Sequence, residues 1–208
     1  WFSDELNSTW TYGHISDWNV SGVTVMSNAF KNRSSFNENL NSWDVSSVTN
    51  MESMFNGAFT FNQEIGDWNV SKVRNMTSMF RDARTFNQNI GNWDVSSVIN
   101  IDQMFHKASS FNKAIGNWDT SNVINMAAMF WAASSFNQEI GDWNISKIQS
   151  MSNMFSGARA FNQEVGGWDT SNVTNMNSTF NGAVNFNQDI SAWEIGKVVS
   201  LASMFDGA

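Results

Sequence analysis

Residues 86–110 read FNQNIGNWDVSSVINIDQMFHKASS, and the chain repeats this 25-residue pattern along its length. The recurring positions follow F-N-x-x-[IL]-x-x-W-[DN]-[VTI]-S-x-[VI]-x-x-M-x-x-M-F-x-x-A. A period of about 20 to 50 residues indicates a solenoid, a propeller or an array of repeated units. Two aromatic rows set the phase: Phe36, Phe61, Phe86, Phe111, Phe136, Phe161 and Phe186, and Trp18, Trp43, Trp68, Trp93, Trp118, Trp143, Trp168 and Trp193.

We predict a single solenoid domain over residues 1–208, in which about eight repeats each contact only their neighbours. Residues 1–10 are expected to form a partial N-terminal cap, and the C-terminal end is expected to be truncated in mid-repeat. The chain has 17 Phe, 11 Trp and 12 Met, and most lie at fixed positions of the repeat. These rows are therefore predicted to fill the core.

Composition narrows the function classes. The chain has no cysteine, which excludes disulfides and thiolate metal sites. Its longest uninterrupted apolar stretch, residues 126–133, is far shorter than the roughly 20 residues that cross a bilayer, so no membrane span is predicted in this segment. The net charge of -8 would repel phosphates, which disfavours nucleic acid as a partner.

Within one repeat the apolar spacing changes from a period of two to a helical period. Trp93 and Val95 alternate with polar residues, as in a short half-buried strand. After Ser96, which is placed as a helix N-cap, apolar residues follow at helical spacing. We therefore predict an α/β fold: a right-handed leucine-rich-repeat-like solenoid with a parallel β-sheet on one face and short helices on the other.

The rows I-x-x-W-x-V-S-x-V-x-x-M-x-x-M-F-x-x-A resemble the BspA-like class of leucine-rich repeats, over nearly the whole chain from about Thr11 to Ala208. Members of that class are mostly surface or secreted proteins associated with adhesion and recognition. The resemblance implies a binding role without catalysis in the repeats. It does not identify a ligand.

Side chains that flank the Trp row are expected to point away from the core, and each repeat places one acid there. One interpretation is an electronegative strip that attracts a basic partner. The alternative is that Asp and Asn form ladders and caps required by the fold alone. A calcium site has little support, because no dedicated loop is present. The candidate residues of this acidic strip are Asp44, Asp67, Asp94, Asp119, Asp142 and Asp169.

The Trp row is predicted to fill the core rather than to stack on a ligand, because it lies between Ile and Val of the same predicted strand. The Asn that follows each row Phe is predicted to form a hydrogen-bonded ladder along the stack. That row consists of Asn37, Asn62, Asn87, Asn112, Asn137, Asn162 and Asn187.

The fifth repeat departs from the pattern. Trp131 stands where other repeats have residues such as Asn56 or Ser156, beside Ala127, Ala128 and Ala132. These four residues form a candidate apolar contact patch on the predicted helical face. The alternative is that Trp131 folds back over the helix or covers a gap in a neighbouring repeat.

Catalysis finds little support, because the two histidines lie in different repeats and no nucleophile, metal or phosphate-binding motif is present. We expect no enzyme activity, no cofactor and no metal. Asn32, Asn69 and Asn144 begin N-x-[ST] sequons and are glycosylation candidates if the chain is secreted.

Two functional classes remain. The first is a non-catalytic recognition or adhesion module of the cell surface or secreted type, which binds a protein or another macromolecule through one face. The alternative is a structural or scaffold subunit of a larger intracellular or organellar assembly, which docks through its helical face. The first depends mainly on the resemblance, the second on the apolar patch.

Overall fold

A computed structural model describes residues 11–208, so the predicted cap at residues 1–10 lies outside the described residues. Thr11 and Tyr12 are helical, and a 3-10 helix, Ile15–Asp17, follows with the His14 side chain accepting from the Ser16 N–H at its start. Beyond residue 17 the described chain contains neither a helix nor a strand longer than one bridge. Isolated parallel β-bridges connect residues of consecutive repeats. They join Val25 to Asn50, Asn50 to Asn75, Asn75 to Asn100, Asn100 to Asn125, Ser150 to Asn175, and Asn175 to Ser200.

The predicted α/β solenoid with a parallel sheet and short helices is therefore wrong. Each repeat is a coil of consecutive turns. In one repeat the N–H of Met54 donates to Met51 O, and the N–H of Ala58 donates to Phe55 O, each three residues back. The N–H groups of alternate residues in the same segment donate to the following repeat. That of Met51, for example, donates to Asn75 O at 2.9 Å. Neighbouring coils, and not intrahelical bonds, satisfy this backbone.

Backbone dihedrals explain why the helical spacing does not produce a helix. Ser53 has a φ of 54° and Gly57 a φ of 73°, whereas a right-handed helix needs negative φ throughout. A positive φ at the third residue of a turn is characteristic of type II geometry. Non-glycine residues adopt this conformation at the corresponding positions of other repeats, including Ser78, Gln103, Ala128, Asn153 and Ser178. Ser96, predicted as an N-cap, instead donates its N–H to Asp94.

The core consists of continuous columns of side chains, as the aromatic rows predict. Row Trp residues from Trp43 to Trp193 are 3 to 7% exposed. Phe55 stacks on Phe80, 25 residues further on, with ring centroids 5.6 Å apart, and on Phe61, six residues further on, at 3.9 Å. Each aromatic ring therefore contacts others both along the stack and across it, which buries the apolar surface of every coil against its neighbours.

The predicted asparagine ladder is confirmed. The Oδ1 of Asn62 accepts from the backbone N–H of Asn87 at 2.9 Å, and the Oδ1 of Asn87 accepts from the N–H of Asn112 at 3.0 Å. The pattern continues to Asn187, whose N–H donates to Asn162. This side-chain ladder ties the segments after the row Phe, where no backbone bridge connects the coils.

A glycine row brings neighbouring coils close together. A Cβ added to Gly91 would lie 2.5 Å from the carbonyl oxygen of Ala114, and one added to Gly116 would lie 2.5 Å from that of Glu139. Real Cβ atoms do not approach a backbone oxygen so closely. Glycine allows the close approach of two backbones here, and its lack of a side chain leaves space on the surface above the row.

Candidate interaction surfaces

We call the acidic side the surface formed by the segments that run from the row Asn to the residue after the row Trp: 37–44, 62–69, 87–94, 112–119, 137–144, 162–169 and 187–194. Lys113 is the single Lys or Arg in these segments. They carry twelve carboxylates: Glu38, Asp44, Glu64, Asp67, Asp94, Asp119, Glu139, Asp142, Glu164, Asp169, Asp189 and Glu194.

All six residues of the predicted acidic strip lie on this side and are exposed. Sequence reasoning missed a second exposed column of acids, each of which lies four residues before a row Trp. This column consists of Glu64, Glu139, Glu164 and Asp189. Its signal in the sequence is the acid that follows Phe-Asn-Gln in four of the repeats. The strip is therefore wider than the residues that flank Trp.

Four acids of the predicted strip also act in turns. The Oδ1 of Asp94 accepts from the N–H of Ser96 at 3.1 Å, and that of Asp119 accepts from the N–H of Ser121 at 3.0 Å. Asp44 and Asp169 make the same contact with the serine two residues on. These are Asx-turns, in which a short polar side chain replaces a backbone acceptor.

The same contacts set the acidity of three carboxyl groups. Hydrogen bonds from the side chain and the backbone N–H of Ser121 hold the pKa of the Asp119 carboxyl below its ordinary value of 3.8, and the charge of Lys147 adds a smaller effect in the same direction. Corresponding bonds from Ser46 and Ser171 lower the pKa of Asp44 and Asp169. These groups stay charged at neutral pH.

Asp67 and Asp142, the other two acids of the strip, line shallow pockets above the glycine row. One pocket is lined by Glu64, Gly66 and Asp67 together with Asn41, Gln88, Asn89 and Asn92. A second is lined by Glu139, Gly141, Asp142, Gln163 and Glu164. A third shares Glu139 and Gln163 with the second and extends it toward Gly116. These pockets are open and polar, and they follow one another along the acidic side.

The four residues of the predicted apolar patch are exposed to different extents. Trp131 is 40% exposed, whereas Ala127, Ala128 and Ala132 are only partly exposed and lie in turns, since Ala128 and Ala132 have positive φ. The Trp131 indole stacks on the imidazole of His106, with ring centroids 4.5 Å apart and planes at 16°. Trp131 thus covers a side chain of the preceding repeat.

His106 is the unusual partner in that stack. Its side chain is buried, at 2% exposure, and neither ring nitrogen has a hydrogen-bond partner. Burial, followed by the positive charges of Arg81 and Lys107, lowers the pKa of His106 from 6.5 to about 4. Sequence reasoning assigned no role to His106, because its burial depends on a Trp that lies 25 residues away.

The three sequon asparagines are exposed. Asn69 and Asn144 lie on the acidic side, where their Oδ1 atoms accept from the N–H and the hydroxyl of Ser71 and Ser146. Asn32 has a φ of 60° and lies outside the acidic side. We call the turn segments the residues that run from the first row Met, or its equivalent, to the row Ala, or its equivalent: 26–33, 51–58, 76–83, 101–108, 126–133, 151–158, 176–183 and 201–208. A glycan on Asn69 or Asn144 would occupy the acidic side itself.

Among residues 11–208, no three His, Cys, Asp or Glu side chains are grouped closely enough to hold a metal ion. Within that range no helix has the length and apolar character that crossing a membrane requires. Neither result identifies a partner.

Comparison with known proteins assigns a family. No curated protein and no solved structure was found to match the chain. One family model matches it in three overlapping stretches, residues 2–117, 63–165 and 101–208, as expected of a chain built from repeats. Because these matches together extend from residue 2 to residue 208, the chain belongs to the family described as "Mycoplasma protein of unknown function, DUF285".

Proposed function

We propose that this chain is a non-catalytic recognition module that binds a positively charged segment of a protein along its acidic side. The observation that carries the proposal is the concentration of twelve carboxylates, against Lys113 alone, in the seven segments that form this side. Ion pairs do not neutralise them: of the salt bridges found among the described residues, the one on this side joins Glu38 to His14 at 3.3 Å.

The fold does not require this charge. Asp94 and Asp119 each accept from the N–H two residues on, yet Asn69 and Asn144 make the same bond with a neutral amide. An acid at these positions therefore adds charge without adding a contact that asparagine lacks. This supports a role for the charge in binding.

The spacing of the repeats makes the charges act together. Hydrogen-bonded backbones lie about 4.8 Å apart, and the Debye length at physiological ionic strength is about 8 Å. Carboxylates of neighbouring repeats thus lie within one Debye length of each other, and their fields add. A linear cation that extends along several repeats would experience the summed field.

The shape of the surface agrees with an extended partner. The pockets above Gly66, Gly116 and Gly141 are shallow, open and lined by carboxylates and carboxamides. Such a lining offers acceptors for Lys, Arg and backbone N–H groups along its whole length. It lacks the enclosed apolar walls that bury most small substrates.

The location of the protein belongs to the proposal as well. A cell-surface or secreted recognition module is what the resemblance to BspA-like repeats implies, and that finer resemblance stays a prediction. Partner capture at a surface would also explain a face whose charge exceeds the needs of the fold. Adhesion would be one consequence of such capture.

A scaffold subunit in an intracellular or organellar assembly is the second candidate. It is favoured by Trp131, an aromatic side chain that is 40% exposed beside partly exposed alanines. The docking surface would be this turn segment, since the predicted helical face is not formed. Trp131→Ser would weaken assembly in that case and leave binding on the acidic side unchanged.

The test uses two triple variants of equal charge change. Glu64→Gln, Glu139→Gln and Asp142→Asn remove three charges from the acidic side. Glu52→Gln, Asp102→Asn and Asp206→Asn remove three charges from the turn segments and keep the acceptor oxygens that Asn75 and Thr77 use. Every substitution in both sets replaces a carboxylate with an uncharged carboxamide of similar size.

Binding of an extended Lys-rich peptide of about twelve residues is measured by titration calorimetry at two salt concentrations. We expect the first variant to lose about tenfold or more in affinity and the second less than about threefold, since a carboxylate that contacts the peptide attracts it more strongly than a remote one does. Equal losses would mean that the net charge, and not the acidic side, attracts the peptide, and would overturn the proposal.

A further inference from the structure

His106 and Trp131 form a stack that the repeat pattern does not require. They occupy the same position of adjacent repeats, and Arg81 occupies that position one repeat earlier. Other repeats place small polar residues there, such as Asn56, Ser156 and Asn181. The fold therefore accepts a small hydrogen-bonding side chain at this position, and the imidazole and the indole are special to these two repeats.

The buried imidazole lacks the hydrogen bonds that such a group normally makes. A neutral imidazole has one N–H donor and one acceptor nitrogen, and both are without a partner in His106. Buried polar atoms without partners are rare, and each calls for an explanation. Here the Trp131 ring lies 4.5 Å from the imidazole while remaining 40% exposed itself, so the indole separates His106 from water.

We propose that His106 and Trp131 form an acid-operated latch, in which proton uptake by His106 releases the Trp131 indole from the stack and brings the imidazolium into contact with water. The closed form is the stacked one. The open form gives both ring nitrogens access to water, and it displaces the aromatic ring that dominates the patch at Trp131. Neither change depends on binding at the acidic side.

The charges around His106 favour opening. Arg81 and Lys107 are positive and oppose a proton on the imidazole, whereas Asp82 is negative and favours it. Asp82 is itself paired with Arg84 at 3.6 Å, and Arg81 donates to Gln103 at 2.5 Å, so both side chains have partners other than the imidazole. A charged His106 would be buried and repelled by the charges of Arg81 and Lys107, with no hydrogen bond to either nitrogen.

One effect opposes opening. A protonated imidazole that lies on an indole face gains a cation–π attraction. Burial of an unpaired charge costs more than such a contact returns, because the stack provides no acceptor for either N–H. The experiment decides between the two effects, since a dominant cation–π attraction would raise the pKa of His106 instead of lowering it.

The size and the sign of the effect follow from linkage. His106 has a pKa of about 4 in the closed form, against an ordinary value of 6.5, so full protonation shifts the ratio of open to closed form about 300-fold toward the open form. The closed form holds fewer protons. The contribution of the neutral imidazole to the stability of the closed form is complete above pH 6.5 and is lost as the pH falls through about 4.

The measurement is an NMR titration of the 208-residue chain from pH 7.5 to pH 3.5. With two histidines in the chain, the imidazole signals are assigned by His14→Gln, and the Trp131 indole signal is the one lost in Trp131→Phe. We expect the His106 signal to titrate with a midpoint between about 4 and 6.5, because opening accompanies protonation, and the Trp131 indole signal to shift with the same midpoint. The indole signals of the row Trp residues should stay unchanged.

Two variants separate the latch from general acid effects. His106→Asn installs the residue found at Asn56 and retains every carboxylate, so the Trp131 signal should no longer move with pH. Trp131→Ser installs the residue found at Ser156, and it should raise the His106 midpoint toward 6.5. The proposal is overturned if the His106 midpoint is at or above 6.5, or if the Trp131 signal stays fixed while His106 titrates. It is also overturned if that signal shifts equally in His106→Asn, or if all indole signals are lost together.

Discussion

The indole N–H of Trp93 donates a hydrogen bond of 3.1 Å to the carbonyl oxygen of Ile65 in the preceding repeat. The bond is buried and joins residues 28 positions apart. It recurs in every described repeat from Trp43, which donates to Ile15 O, to Trp193, which donates to Val165 O. Each row Trp thus fills the core and also fixes its repeat against the one before it.

Trp93→Phe should therefore reduce the free energy of unfolding by about 1–3 kcal/mol, the sum of a lost hydrogen bond and a smaller buried ring. Urea unfolding, followed by the fluorescence of the remaining Trp residues, measures the change. Trp131→Phe is the control, because Trp131 is partly exposed and makes no side-chain hydrogen bond among those found in the described residues; it should change stability by less than about 0.5 kcal/mol. Equal losses would show that the bond to Ile65 contributes nothing.

Gly91→Ala should destabilise the stack, because the new Cβ would lie 2.5 Å from the carbonyl oxygen of Ala114. Overpacking of this kind costs about 1–3 kcal/mol. Gly167→Ala is the matched control, since no atom lies within 4 Å of a Cβ at that position. Thermal unfolding of both variants checks the prediction, which fails if Gly91→Ala unfolds at the same temperature as Gly167→Ala.

Asn87→Ala should weaken the asparagine ladder. It removes the oxygen that accepts from the N–H of Asn112 at 3.0 Å and leaves that partly buried N–H unpaired, at a cost of about 1–2 kcal/mol. Amide hydrogen exchange at Asn112 should become faster in the variant. Asn92→Ala, at an exposed position where another repeat has Ala192, should affect neither stability nor this exchange rate.

Acid should destabilise the Asx-turns in a defined pH range. Because the pKa of Asp119 is lowered in the folded chain, its carboxylate adds stability above pH 3.8, and that contribution is lost as the pH falls below this value. Ser121→Ala removes the side-chain bond and should raise the pKa of Asp119 toward 3.8, as measured by carbon NMR of the carboxyl group. An unchanged carboxyl pKa would assign the lowering to the backbone N–H of residue 121, which the variant retains, and to Lys147.

Much of the architecture could be read from the repeat. The rows of Phe, Trp and Met predicted the core, and the row of Asn predicted the ladder, because residues repeated every 25 positions meet their equivalents in neighbouring coils. Exposure of the residues beside Trp93 was also predicted, since a buried side chain directs its neighbours away from the core. The column of Glu64, Glu139 and Glu164 lay outside that argument and was missed.

The sequence by itself determined that the chain stacks in 25-residue units and which side chains the stack buries. Only the tertiary structure decided the backbone between them. Apolar residues three and four apart suit a helix and a series of turns equally well, and the choice depends on where the N–H of a residue such as Met51 finds its acceptor. It finds Asn75 O in the next repeat, and positive φ at Ser53 then excludes the helix. The stack of His106 on Trp131 is of the same kind, because a contact between single residues of two repeats has no trace in the consensus.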